Sequence, residues 1–378
     1  MSFTVVALRA SAHLSPPKRI PMSSSPPRGI KGPDLRGREL DGRYHLDRFV
    51  AGGGSGNVYA GVDRKLRRPV AVKVIHPEYA RTEDQRRRIR QEALLGAVLD
   101  HPNLAPILDF GAEVEGHAEP LLYIVMPLLA GHTLRELVLG GQVPWTRAAG
   151  LVHQLLAGLT AMHIAGVLHR DVKLDNCLLV REGEREVLKL VDLGLAKVTG
   201  YDLLSRRPLS VSGRIVGTLP YISPEQALGE PVDERTDVYA AGVVLFELLT
   251  RRPPFVGSDY QVLNGHVEQP VPVPSVVAPL AGIPASLDAV TLKALAKRRE
   301  QRFASAADFD VALARALGSS GLEDDRLRRC AGCSAAREAL AAWTCFDYPR
   351  ARAEAESAAR HSRSWSPLKL LMSLIPEE

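Results

Sequence analysis

Read along the chain, apolar positions change period twice. Residues 44–50, 56–62 and 69–75 are short runs of strand character, the first two separated by glycines. Residues 82–99 then carry apolar and charged positions at spacings of three and four, ended by Asp100-His101-Pro102, which predicts a helix. Two more strand-like runs follow at 105–110 and 121–126. From Thr133 onward helical spacing dominates. Residues 145–164 place Ala148, Leu151, Val152, Leu155, Leu156, Leu159 and Met162 on one face. Residues 235–250 are apolar nearly all round, the pattern of a buried central helix, and 287–297 and 305–317 are Ala/Leu-rich and amphipathic. The expectation is an α+β fold: a small sheet-rich lobe with one helix, then a larger helical lobe.

The ends differ from this middle. Residues 1–36 hold six prolines and six serines with little apolar period, so residues 1–40 read as a flexible tail ahead of a domain at 41–317. Gly318-Ser-Ser-Gly321 is a break, and 318–378 read as a linker and small helical appendage, with helices at 334–343 and 349–360. Cys330, Cys333, Cys345 and His361 lack the spacing of a zinc set, and a helical hairpin packed on the domain or on a partner is the better reading.

Charge is also uneven. Residues 1–38 carry seven basic side chains against Asp34 alone, so the tail accounts for more than the whole net charge of +5. The domain itself is close to neutral, which does not indicate specific nucleic-acid binding. Four cysteines make no disulfide framework and suit a reducing compartment. The N-terminus lacks a basic region ahead of its apolar run, and no apolar stretch reaches the ~18–20 residues of a membrane span. The expected location is cytoplasmic.

Candidate chemistry lies in four places. Ala51-Gly52-Gly53-Gly54-Ser55-Gly56 sits between two strand runs, where backbone N–H groups can approach phosphate oxygens. Lys73, flanked by apolar residues on its strand, needs an anion, and Glu92 on the following helix is a candidate partner. The densest run is His169-Arg170-Asp171-Val172-Lys173-Leu174-Asp175-Asn176. Here Asp171 is suited to accept a proton, Lys173 to neutralise a phosphoryl group, and Asn176 to bind a hard metal through its carbonyl oxygen. Asp192 follows another apolar run, and Gly217-Thr218 and Ser223-Pro224-Glu225 come after it.

Together these motifs resemble the signature of the eukaryotic-like Ser/Thr protein kinases, in their bacterial form, over residues 44–317. The resemblance implies the two-lobed protein-kinase fold and transfer of the ATP γ-phosphoryl group to Ser/Thr hydroxyls of proteins, with Mg²⁺. It implies that the 51–56 loop covers the phosphates and that Lys73 holds them and pairs with Glu92. Val58, Ala71 and Leu178 would enclose the adenine, with Met126 as gatekeeper and Leu129 presenting the hinge backbone. Asp171 and Lys173 would be catalytic, and Asn176 and Asp192 would bind the metal. Glu225 would pair with Arg302, and Asp237 would brace the catalytic loop. Arg170 would receive a phosphate placed by autophosphorylation on the 192–225 segment, with Ser210 and Ser212 the candidate sites beside Thr199 and Ser205. Three positions depart from the pattern: Ala51 for the first loop glycine, Leu193 for the phenylalanine after Asp192, and Pro127 at the hinge. A scaffold without catalysis and a small-molecule phosphotransferase are the competing functions. The first is opposed by retention of every charged group above, the second by the GT element, the SPE element and Arg302.

Overall fold

The computed structural model describes residues 34–53, 55–113, 120–192 and 219–318. The first lobe is one antiparallel sheet of six strands in the order β1-β2-β3-β4-β6-β5. They are β1 (Glu39–Leu40), β2 (Tyr44–Gly52), β3 (Gly56–Asp63), β4 (Arg68–Ile75), β5 (Asp109–Glu113) and β6 (Leu121–Pro127). Among the described residues the lobe's one α-helix is α1 (Glu83–Val98), started by a capping box between Thr82 and Gln85.

Two expectations shift here. Residues 34–40, assigned to the tail on composition, are packed on the sheet: Leu35 and Leu40 are buried and β1 pairs with β2. Two leucines hidden among basic residues suffice to anchor the segment, so the folded unit starts before residue 41. The strand expected at 105–110 starts at Asp109. Pro106 has no N–H to give a ladder, and Ala105 donates instead to the carbonyl of Leu190 in the other lobe.

The second lobe holds α2 (Leu134–Gly140), α3 (Trp145–Ile164), α4 (Pro224–Leu228), α5 (Glu234–Thr250), α6 (Asp259–Val267), α7 (Pro274–Val277), α8 (Ala285–Ala294) and α9 (Ala306–Ala316). As the all-round apolar pattern predicts, α5 is buried along nearly its whole length. Gly242 lets α8 approach it, since a Cβ there would stand 2.9 Å from the Cβ of Ala294. A small antiparallel sheet, β7 (Gly131–Thr133), β8 (Cys177–Glu182) and β9 (Arg185–Leu190), lies at the top of this lobe. Its strand β8 follows the 169–176 loop directly, so the sheet fixes where that loop ends.

One apolar core runs from the α1 side of the large sheet into α3, α5, α8 and α9. A smaller core, including Leu40, Tyr44, Leu46, Tyr59, Val72 and Val125, fills the sheet's other face beneath the 34–40 segment. The two lobes are therefore built around shared packing, with the 169–176 loop, β6 and Asp192 along their junction. The appendage beyond Gly318 lies outside the described residues.

Candidate active site

The glycine loop is the β2–β3 hairpin. Ala51 pairs with Val58 and Gly52 with Asn57, and the Gly53 N–H donates to the Gly56 carbonyl at 2.8 Å. Gly56 is required by space: a Cβ would lie 2.3 Å from the Val74 carbonyl oxygen of β4. Ala51 sits within β2 and takes no positive φ, so a methyl group is accommodated there. Gly54 lies outside the described residues.

Register then aligns the next groups. Val58 pairs with Lys73, and Ala71 pairs with Met126. Because strand side chains alternate, Val58, Ala71, Lys73 and Met126 share one face of the sheet. Leu129 packs with Ala105, Leu178, Val180 and Val191 in an apolar patch on the second lobe. Lys73 and Asp192 join the two sets: the Lys73 ammonium, 4% exposed, contacts the Asp192 carboxylate across 119 residues of chain. The buried ammonium thus has the anion its apolar strand demands. Glu92 lies on α1, but its side chain, like the 193–218 part of the segment after Asp192 with Leu193, Thr199, Ser205, Ser210, Ser212 and Thr218, is outside the described residues.

The 169–176 loop is built from hydrogen bonds to its own backbone. Asp237, buried at the start of α5, accepts the N–H groups of His169 and Arg170 at 2.8 Å each and the His163 ring N–H at 2.9 Å. Burial opposes ionisation of Asp237, yet the His163 contact and these N–H groups hold its carboxyl below the ordinary range. The His169 ring is fully buried, which lowers its pKa and keeps it neutral. Its Nδ1 accepts from the Asp171 N–H at 3.3 Å, so Nε2 carries the proton toward the Val191 carbonyl at 3.2 Å. Arg170 and Asp192 both adopt left-handed backbone, at φ 59° and 61°. Non-glycine residues hold that region only where the surroundings over-determine it.

Three of the predicted groups meet in this loop. Lys173 Nζ lies 2.8 Å from Asp171 Oδ2, and Asn176 Nδ2 donates to the Asp171 carbonyl at 2.8 Å and to its Oδ2 at 3.2 Å. Burial pulls the Lys173 pKa down, but the Asp171 and Asp192 carboxylates outweigh it and raise it, so the lysine is charged. The Asn176 carbonyl accepts the Val191 N–H at 2.9 Å, which carries the chain directly to Asp192.

Glu225 and Arg302 form the expected pair, as a buried fork with contacts of 2.8 and 2.7 Å. A second buried network was not read from the sequence. Arg135 of α2 reaches Glu247 of α5, the Tyr221 hydroxyl and Asp175, and Tyr221 donates to Glu247. The signal for it was present: Glu247 interrupts an otherwise apolar helix, and a buried carboxylate needs partners. Among the described residues no three His, Cys, Asp or Glu side chains form a metal cluster. Cys330, Cys333, Cys345 and His361 lie outside them.

A glycine turn, a buried lysine and a backbone-clamped aspartate thus lie along the junction of a sheet lobe and a helical lobe, the arrangement the motifs imply. The protein kinase domain family matches residues 44–361, and the chain belongs to that family. It is 40% identical over 279 residues to the serine/threonine-protein kinase PknB of Mycobacterium tuberculosis, covering 73% of this chain and 43% of PknB. It is 37% identical over 315 residues to the probable serine/threonine-protein kinase SCO3848 of Streptomyces coelicolor, covering 82% of this chain and 44% of the relative. The chain thus spans less than half the length of the curated relatives it matches. The crystal structure of the M. tuberculosis PknI kinase domain superposes with a TM-score of 0.56 at 25% identity, covering 74% of this chain and 98% of that domain. The fold and family expected from the motifs are those found.

Proposed function

We propose that the protein is an ATP-dependent serine/threonine protein kinase. The observation that carries this reading is the mutual hydrogen bonding of Asp171, Lys173 and Asn176 beside the Lys73–Asp192 contact. The residues suit a nucleotide and Mg²⁺. Gly56 lets the end of the hairpin close onto β4, and Val58, Ala71 and Leu178 offer an apolar lining for a base. The Asn176 side-chain nitrogen is committed to Asp171, which leaves the side-chain oxygen Oδ1; with the Asp192 carboxylate it makes a pair of hard oxygen donors. Mg²⁺ held by these two would neutralise charge on the phosphate oxygens.

In this reading the chain's own groups do four things. Backbone N–H groups of residues 51–56 and the Lys73 ammonium bind the phosphates. Asp171 orients the substrate hydroxyl and takes its proton as the oxygen bonds to the γ-phosphorus and the bond to ADP breaks. Lys173 offsets the charge spread over the transferring group. Asp237, acting through the loop backbone, keeps Asp171 in place. Lysine two residues after Asp171 supports Ser/Thr rather than Tyr as acceptor. Protein substrates, autophosphorylation of the 192–225 segment, a docked C-terminal hairpin and a cytoplasmic site of action complete the proposal. No described helix is long and apolar enough to cross a membrane.

Incubation with Mg²⁺ and labelled ATP tests it. Wild type is expected to label Ser or Thr, with sites read by mass spectrometry, and Asp171→Asn is expected to lose at least a hundredfold in rate while still binding nucleotide. Absence of transfer by wild type to itself and to generic protein substrates, or full activity in Asp171→Asn, refutes the reading.

A further inference from the structure

The peptide unit between Arg170 and Asp171 is gripped at both ends. Its N–H donates to His169 Nδ1, and its carbonyl accepts from Gln226 Nε2 at 3.3 Å. The preceding N–H, that of Arg170, is held by Asp237. This is the peptide whose plane sets the direction of the Asp171 side chain, and it follows a residue in the left-handed region. A left-handed conformation is disfavoured for a residue with a Cβ, so it needs such restraints.

Gln226 has a second task. Its Oε1 accepts the Ser223 N–H at 3.1 Å, and its own N–H donates to the Ser223 hydroxyl, closing the capping box of α4. A capping box accepts glutamate as well as glutamine. Only glutamine also has an N–H to offer the Arg170 carbonyl. The α4 cap belongs to the chain that ends the 192–225 segment, and its Ser223 and Glu225 are buried.

We infer that Gln226 is a positioning residue that ties the docked end of the segment after Asp192 to the backbone of the 169–176 loop. One half of its amide caps α4, and the other half fixes the 170–171 peptide. The inference rests on the kinase reading for its catalytic consequence, but its structural content stands apart from activity.

Gln226→Glu separates the two halves, keeping the cap acceptor while placing an oxygen against the Arg170 carbonyl. Gln226→Lys does the reverse, supplying a donor without the acceptor. Ser223→Ala weakens the cap and leaves the amide. Hydrogen exchange of peptides spanning 168–177 is read by mass spectrometry in each full-length protein, together with kcat, the KM for ATP and a thermal melt. Gln226→Glu is expected to speed exchange in this peptide and to lower kcat roughly tenfold with KM little changed, as loss of one positioning contact implies. Gln226→Lys is expected to stay within about threefold of wild type in kcat, and Ser223→Ala to lower the melting temperature without faster loop exchange. Wild-type exchange in Gln226→Glu, or equal effects of Ser223→Ala or Gln226→Lys, overturns the inference. If wild type transfers no phosphate, the kinase reading fails, and the exchange result still decides the role of Gln226.

Discussion

Arg302→Ala would remove the guanidinium that holds the start of α4 against the rest of the second lobe. Both side chains of the pair are buried, at 0% exposure for Arg302 and 4% for Glu225. Arg302 also donates to the carbonyls of Ala296, Arg235 and Lys297 at 2.8–3.0 Å and lies over the Tyr239 ring at 4.8 Å. Removing one partner of such a pair strands a carboxylate left with the Thr236 hydroxyl and its own backbone N–H and no cation. Breaking a buried pair this way costs about 3–5 kcal/mol. For a domain of this size each kcal/mol lowers Tm by ~2–4 °C, so a fall of roughly 6–20 °C is expected. Chemical and thermal denaturation of wild type and variant measure it. The pH dependence adds an independent check. Burial pushes the Glu225 pKa up, but the Arg302 contact and charge more than offset it, and the folded pKa is lowered. The pair therefore contributes fully above the unfolded glutamate pKa of about 4.3 and its contribution fades as pH falls through the folded value. Wild type should lose its advantage over Arg302→Ala in that acid window. A cost below ~1 kcal/mol at pH 7, or an advantage that persists unchanged into acid, would refute the reasoning. Glu225→Leu with Arg302→Met should be milder than Arg302→Ala alone, since no charge is left stranded.

Further predictions concern the loop, the hairpin and one pair between helices. Asp237→Asn leaves a single acceptor oxygen facing the His163, His169 and Arg170 donors, so a loss of ~2–3 kcal/mol in stability and at least tenfold in kcat is expected, from urea unfolding and phosphoryl-transfer assays. Gly56→Val drives a side chain into the Val74 carbonyl and parts β3 from β4, so nucleotide affinity by calorimetry should fall at least tenfold. His153 of α3 meets Asp310 of α9 at 2.6 Å, which raises its pKa against the pull of burial. Its stabilisation is present below the unfolded value of about 6.5 and fades as pH rises through the folded value. Urea midpoints should therefore favour wild type over His153→Gln at pH 6, by a margin that shrinks at pH 9.

Local patterns were readable because they depend on neighbours in the chain. The strand-like runs at 44–50, 56–62 and 69–75, the helical spacing over 82–99 and the all-round apolar α5 each correspond to an element in the structure. The order and spacing of the glycine loop, Lys73, the 169–176 run and Asp192 were likewise sufficient to indicate the family. Composition misplaced the start of the fold, because averaging over residues 1–40 conceals Leu35 and Leu40, whose burial depends on the outer sheet face formed by β2, β3 and β4.

What tertiary structure alone decided is the pairing of charges and the aim of the loop. In the sequence Arg135 and Asp175 are indistinguishable from solvated residues and Glu247 shows only that it needs a partner; packing of α2 against α5 brings the three into one network. Lys73 demanded an anion, but which carboxylate meets it depends on how the two lobes close over 119 residues of chain. The backbone of Arg170 is held on its two sides by α4 and α5, elements far along the chain, at an angle arginine does not adopt by local preference. Side-chain chemistry was thus written in the motifs, while its direction came from long-range hydrogen bonds to the backbone, which leave no periodic trace in sequence.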